Sequence, residues 1–394
     1  MHNPAPSPLL PKVAAIACGG TGGHLFPGLA VGRELRRRGC EVTLLVSSKR
    51  IDSLAAQAAG DMETVALPAV GLSRGNVPGF AWRFWQSYWL SRKHFQKRRP
   101  HFVLGMGGFA SAPPVLAGGH LGARTFVHES NSVPGRANRL LARSVDGAFA
   151  WFQSASDELL ARRVEVVGMP VRPEFLRLPP PAQARAALGL EAGAPVLLVM
   201  GGSQGAGPIN QFLITILPQL LDAMPQLQFI HLTGPADLEK VRAACAGSGR
   251  RAVVRAFLGE MALALAAADA AVSRAGASSL AEFAACRLPA ILIPYPAAAD
   301  DHQFHNALAF ARGGAARLLQ QRALTSAMLA EEILALLANT ERRSAMRQAL
   351  AAWHRPEAAA QIADKMLHWS GSALSVPVSS APDPAAPNLG VLNV

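Results

Sequence analysis

The chain has 394 residues, half of them apolar and only 16% charged, which excludes a disordered polyampholyte and leaves room for two buried cores at roughly 100 to 200 residues per domain. Lysine and arginine outnumber acids by 38 to 26, a formal charge of +12, and that excess favours anionic partners: nucleic acid, an acidic membrane surface or phosphorylated ligands. Cys18, Cys40, Cys245 and Cys286 form no CxxC pair, so neither a zinc ribbon nor a disulfide framework is expected, and the four read as buried, reduced thiols.

Residues 1–11 hold four prolines and no basic residue. That is the wrong composition for a signal peptide, so a flexible N-terminus and a cytoplasmic protein are expected. From Lys12 to Leu35 the run VAAIAC passes through Gly19, Gly20, Thr21, Gly22 and Gly23 into FPGLAVGREL, with Pro27 near the first turn. The pattern predicts a strand, a phosphate-type loop and a helix. Glycines after a strand let backbone amides approach an anion, and the following helix adds its positive end. His24 closes this loop and is a general-base candidate with an ordinary pKa of about 6.5; the alternative is a histidine that only hydrogen-bonds its own loop.

A strand is predicted at 42–46 (VTLLV). From Thr64 to His128 there is no acid, while Arg74, Arg83, Arg92, Lys93, Lys97, Arg98, Arg99 and Arg124 supply eight positive charges. Within that window Phe80, Phe84, Trp85, Tyr88 and Trp89 recur at helical spacing, with Trp82 alongside. Rings beside cations match a helix lying on an anionic membrane surface. A core-facing stripe with a solvated basic end is the plainer alternative, and stacking on single-stranded nucleic acid ranks third, because no nucleic-acid module surrounds it.

Further strands are predicted at 102–106 (FVLGM) and 125–129 (TFVHE), and Gly105 to Ala110 fits the short pattern GxGxxA. Prolines 170, 173, 179, 180 and 181 mark a junction, which divides the chain into 12–165, a linker at 166–181, and 182–369. The stretch 192–221 has no charge over 30 residues, but glycines interrupt it, so a strand, a turn and a helix fit better than a membrane span. Here PVLLVM runs into Gly201, Gly202, Ser203, Gln204 and Gly205 and then INQFLITIL, repeating the opening pattern. Strands follow at 229–233 (FIHLT) and 290–295 (AILIPY). Such alternation implies two parallel, doubly wound sheets with ligands in a cleft at the carboxyl ends of their strands. No GK[ST] follows either loop, which argues against an ATPase. Ser279 to Glu282 has capping-box spacing, and from spacing alone Glu282 caps a helix. Residues 370–394, rich in proline, serine and alanine, are expected to be disordered.

GGTGGHLFPGLA at 19–30, GMGGFASAP at 105–113, HESN at 128–131, GMPVR at 168–172, GGSQGA at 201–206, SRAGASSLAE at 273–282 and HQFHNA at 302–307 resemble, in order and spacing, the MurG family of undecaprenyl-diphospho-muramoylpentapeptide N-acetylglucosaminyltransferases. The resemblance covers roughly 12–369. It implies an α/β fold of two Rossmann-like domains facing a central cleft (GT-B type), UDP-GlcNAc as donor, lipid I as acceptor and lipid II as product, and a peripheral place on the cytoplasmic face of the inner membrane. It also implies that Thr21, Gly22, Gly23, Asn131, Arg172, Ser203, Leu258, Ala277, Ser278, Ser279, Leu280, Ala281, Glu282, His302 and Gln303 contact the nucleotide sugar, with Glu282 on the ribose hydroxyls.

The chain departs from the family in four places. Ser130 replaces the Gln before Asn131, His302–Gln303 replaces two glutamines, PYPAAADDHQ carries an extra residue, and Met169 stands where the family has Asn. Gly19, Gly20, Gly107 and Gly108 are expected to meet the acceptor diphosphate and GGSQGA the departing UDP, with His24 as base. The chain has no DxD pair, so no bound metal is expected; nor is a cofactor or a nucleic-acid partner. The rival readings are another nucleotide-sugar lipid transferase, a UDP-GlcNAc epimerase of the same fold, and a nicotinamide dehydrogenase built on GMGGFA.

Overall fold

A computed structural model describes residues 11–19, 22–47, 60, 62–68, 77–202, 205–247 and 251–369. Seven parallel strands form the first sheet: β1 Val13–Cys18, β2 Glu41–Ser47, β3 Glu63–Leu67, β4 Phe102–Gly105, β5 Arg124–Glu129, β6 Gly147–Ala150 and β7 Val164–Val166, in the spatial order β3-β2-β1-β4-β5-β6-β7. The second has six: β8 Val196–Met200, β9 Gln228–Leu232, β10 Ala252–Arg255, β11 Ala270–Ser273, β12 Ala290–Leu292 and β13 Ala316–Leu318, in the order β10-β9-β8-β11-β12-β13.

Side-chain alternation explains why the central strands are apolar throughout. Ala14, Ile16 and Cys18 of β1 pack into one core cluster, and Ala15 and Ala17 into another on the opposite face. β8 repeats this, with Leu197 and Val199 on one side and Val196, Leu198 and Met200 on the other. A strand covered by helices on both faces has no solvent side to carry polar residues. The uncharged stretch at 192–221 is β8, a turn at Gly201–Gly202 and the helix Gly207–Ala223. No helix among the described residues is long and apolar enough to cross a membrane.

The chain crosses between the two sheets twice. After β7 it runs through a short turn at Pro173–Phe175 into the second unit, where Phe175 joins a core shared with Trp151, Phe152, Phe310 and Trp353. At the far end the helix Ala358–Leu367 returns to the first sheet, burying Ile362, Ala363 and Met366 beside Ile16 and Leu104. Arg38 Nη2 holds Asp364 Oδ2 at 2.9 Å across that joint.

Candidate active site

In each sheet the strand order reverses once, between β1 and β4 and between β8 and β11. Loops leaving the carboxyl ends diverge at such a point and open a crevice. Gly19, Gly22, Gly23, Gly107 and Gly108 lie at the first and Gly201, Gly202, Gly205 and Gly276 at the second. The two crevices face one another. Ser278 Oγ donates to the Gly23 carbonyl at 3.2 Å, Asn306 Nδ2 donates to Asn131 Oδ1 at 3.0 Å, and Asp300 pairs with Arg136 at 2.8 Å and Arg139 at 3.1 Å. Gly20, Thr21 and Ser203 lie outside the described residues, as do Arg74 and the segments 1–10 and 370–394.

His24 sits within the helix Gly22–Arg37, not on the loop before it. Its ring lies against the second glycine loop so closely that a Cβ on Gly107 would stand 3.0 Å from Cε1. Gly107 and Gly108 have φ of 108° and 73°, which lets their backbone turn around the imidazole. Burial pushes the His24 pKa below its ordinary value, against a smaller upward pull from Glu129, so the unperturbed value expected from sequence is corrected downward. A neutral imidazole at neutral pH is the form that accepts a proton.

Beneath this loop Glu129 is buried and fully used. Its Oε1 accepts from Asn131 N and Nδ2 at 2.9 and 3.1 Å, and its Oε2 from Gly135 N and Asn138 Nδ2 at 2.9 and 2.8 Å. Asn131 is thereby oriented from one side by Glu129 and from the other by Asn306, whose Oδ1 also accepts from Ser132 N at 2.8 Å.

Across the cleft, the helix Ala277–Cys286 starts from Gly276 as its N-cap. Ser279 therefore lies inside the helix and cannot serve as the cap, so the capping-box role for Glu282 falls. The side chains of Ala277, Leu280 and Ala281 are buried in the core and can offer a ligand only their backbone, whereas Ser278, Ser279 and Glu282 are half-buried. Leu258 packs partly buried against the same core. Arg172 Nη2 approaches Glu282 Oε1 at 3.4 Å. Burial raises the Glu282 pKa to about 7, opposed by the nearby Arg172.

Gln303 Oε1 accepts from Ala275 N at 3.3 Å and Tyr295 N at 3.0 Å, which ties together the segments after β11 and β12. No hydrogen bond of the Gln303 Nε2 is formed among the described residues. His302 Nδ1 donates to the Ala299 carbonyl at 2.7 Å and so closes a local turn. Asp300 and Asp301 in that turn have φ of 51° and 50°, costly for non-glycine residues. The GGSQGA loop rests on the segment after β9: at Gly205, with φ of 77°, a Cβ would fall 2.1 Å from the Thr233 carbonyl oxygen. Asn210 secures that segment by donating to Thr233 O at 2.9 Å and Asp237 Oδ2 at 2.8 Å, while His231 Nε2 meets its Oδ1 at 2.8 Å.

Sequence reasoning assigned no role to Glu129, Asn306, Asn210 or Asp300. Glu129 and Asn306 lay within HESN and HQFHNA, so the signal was present. Asp300 and Asn210 become meaningful only once a partner far along the chain is brought to them.

The aromatic stripe lies on the helix Val77–Lys97 and divides between two faces. Trp82, Trp85 and Trp89 are 71%, 55% and 59% exposed, whereas Tyr88 is only 8% exposed, with its hydroxyl 2.8 Å from His120 Nδ1. Phe84 packs partly buried on the same side, and Phe80 meets Phe109 edge-on at 5.4 Å beside the second glycine loop. The single docking face expected from spacing is thus corrected: a helix 21 residues long that packs on one side can offer only the other, and Tyr88 belongs to the core.

Residues 14–150 match the glycosyltransferase family 28 N-terminal domain and residues 196–363 its C-terminal domain. A UDP-N-acetylglucosamine–N-acetylmuramyl-(pentapeptide) pyrophosphoryl-undecaprenol N-acetylglucosamine transferase from Anaeromyxobacter dehalogenans is 38% identical over 89% of this chain and 91% of its own length. One of the same description from Xanthomonas euvesicatoria is 38% identical over 94% of this chain and 84% of its own. The crystal structure of Acinetobacter baumannii MurG is similar with a TM-score of 0.69 at 26% identity, covering 91% of this chain and 99% of that one. A putative UDP-N-acetylglucosamine 2-epimerase from Listeria monocytogenes shares the fold at a TM-score of 0.68 and 13% identity, over 92% of this chain and 98% of its own. The chain belongs to glycosyltransferase family 28, among the UDP-N-acetylglucosamine–N-acetylmuramyl-(pentapeptide) pyrophosphoryl-undecaprenol N-acetylglucosamine transferases.

Proposed function

We propose that the chain transfers N-acetylglucosamine from UDP-N-acetylglucosamine to the 4-hydroxyl of the N-acetylmuramyl-pentapeptide carried on undecaprenyl diphosphate, completing the disaccharide precursor of peptidoglycan. The observation that carries this reading is the family relationship across both sheets, joined to a cleft whose two sides hold a neutral imidazole and a largely desolvated carboxylate. Glu282 accepts the ribose hydroxyls of the donor. Asn131, Arg172, Ser278, Ser279 and Gln303, with the backbone at Ala277, Leu280 and Ala281, line the rest of its site, and the backbone of the GGSQGA loop takes the diphosphate. His302, committed to its own turn, is supported less well than Gln303.

In the reaction the muramoyl hydroxyl oxygen attacks the anomeric carbon of N-acetylglucosamine, His24 takes the hydroxyl proton, and the bond to UDP breaks with its electron pair leaving on the diphosphate. The positive end of the helix Gly207–Ala223 offsets the charge that develops there. The first glycine loops receive the acceptor diphosphate. Trp82, Trp85 and Trp89, with Arg83, Arg92 and Lys93 on the same helix, hold the protein against an anionic membrane surface. Phe80 stands between that face and the cleft, on the side from which a lipid-borne acceptor enters. Incubation with radiolabelled UDP-N-acetylglucosamine and membranes carrying the acceptor should yield a labelled lipid-linked disaccharide by chromatography; formation of UDP-N-acetylmannosamine instead would indicate an epimerase.

A further inference from the structure

The Arg172 guanidinium lies between two rings, its Cζ 4.4 Å from the centroid of Phe26 and 4.5 Å from that of Phe175. Phe175 belongs to the core of the second unit, whereas Phe26 sits on the first helix of the opposite one. With a ring from each unit packed close to Cζ, hydrogen bonding falls to the N–H groups at the edge of the guanidinium. Nη1 faces Glu174 at 3.3 Å and Nη2 faces Glu282 at 3.4 Å, while Nε is buried with no partner among the described residues. Arg172 and Glu174 line, with Phe26, Leu29, Ala30 and Arg33, a cavity of about 100 Å³, so the arginine has room to move once the ring is gone.

We propose that Phe26 is a positioning residue for the donor site of the opposite domain: stacked on Arg172, it holds the guanidinium edge-on to Glu282, so that the carboxylate meets the ribose in its charged, oriented form only when the first helix is docked. The proposal rests on the reading of Glu282 as the ribose acceptor. The groups facing Glu282 are Arg172, Glu174 and Cys286, and Arg172 alone among them favours its charged form. Losing the stack lets the fork turn toward the more exposed Glu174 and leaves Glu282 without its counter-charge.

The test uses the full chain, with UDP affinity by calorimetry and donor kinetics with the lipid acceptor. Phe26→Leu keeps an apolar side chain but removes the aromatic face, and is expected to raise both the UDP Kd and the donor KM on the order of 10-fold. At saturating donor kcat should change less than about 2-fold, because Phe26 acts on binding and not on the reacting atoms. The acid limb of kcat/KM should move to higher pH, since a carboxylate deprived of its cation holds its proton longer. Phe26→Tyr, which keeps the ring, should restore all three. If Phe26→Leu does not stay folded, Phe26→Met serves in the same assays. An unchanged donor affinity and acid limb, or a failure of Phe26→Tyr to restore them, overturns the proposal alone. An unchanged UDP affinity in Glu282→Ala overturns the ribose reading and this proposal with it.

Discussion

Two glutamates stand on opposite sides of the cleft, Glu129 buried and the Glu282 side chain 13% exposed, and they differ in what occupies their oxygens. Glu129 accepts four hydrogen bonds, all from residues 131–138, whereas among the described residues Glu282 accepts one, from Arg172 at 3.4 Å. A desolvated carboxylate with its lone pairs filled is a building element that fixes a loop. One with lone pairs to spare carries an unmet cost of burial, seen in its pKa of about 7, and a ligand with paired hydroxyls can meet it. Hydrogen-bond saturation, more than burial, separates the two roles.

The largest effect is expected beside the saturated carboxylate, at His24. Replacing it with alanine should lower kcat for transfer by about 10²- to 10⁴-fold and leave UDP affinity nearly intact, since the proposed nucleotide site lies on the other sheet. Near-normal turnover at saturating acceptor would place the base elsewhere. Next come the two glutamates. Glu129→Ala leaves four donors unpaired and should cost on the order of 3 kcal/mol of stability or more, whereas Glu282→Ala should weaken UDP binding by roughly 10²-fold with the melting temperature held or raised. Calorimetry and thermal melts on both variants check the contrast, and equal losses of stability would erase it.

A smaller effect lies in pH. Because the folded-state pKa of Glu282 is raised to about 7, the ligand-free fold retains a proton that the unfolded chain has already released. Its contribution therefore makes the protein more stable as pH falls from about 7 toward the ordinary carboxylate range. Donor kcat/KM should fall over the same interval, because the protonated carboxyl accepts ribose hydroxyls poorly. Glu282→Gln should flatten both trends, and a melting profile unchanged by that substitution would show that the proton resides on another group. The smallest effect on the cleft is expected from Trp85→Glu combined with Trp89→Glu. Both positions are exposed, so fold and donor affinity should persist while co-sedimentation with anionic vesicles is lost. Wild-type sedimentation should itself weaken with salt, as charges are screened over about 8 Å at physiological ionic strength. A folded double variant that still pellets would remove the docking role.

Much of the architecture was legible in the sequence because its central strands are buried on both faces and followed by glycines. Seven of the thirteen strands were found that way. The six missed are short and lack a long apolar run: GAFA in β6, AAVS in β11 and ARL in β13 read equally well as pieces of helix. At the site, the glycine loops followed from the strand-loop-helix pattern and the role of Glu282 from the family motif, while the capping-box reading failed because the N-cap is Gly276, three residues before Ser279. The stripe failed at Tyr88 for a related reason: helical periodicity groups residues by face but does not say which edge of the group the core takes. Asp300 with Arg136, and Asn306 with Asn131, join residues more than 160 positions apart, and no local pattern announces such pairs.

The return of the helix Ala358–Leu367 to the first sheet also bears on how the protein is made. The first sheet leaves the ribosome early, yet one of its faces, beside Ile16 and Leu104, is covered only in part by Leu25, Leu29 and Leu35 of its own first helix until Ile362 and Met366 emerge. An uncovered apolar face on a nascent chain is where premature association begins. Completion of the first half thus waits on synthesis of the second, so a ribosome that stalls or terminates just before residue 358 releases a first domain that lacks part of its cover.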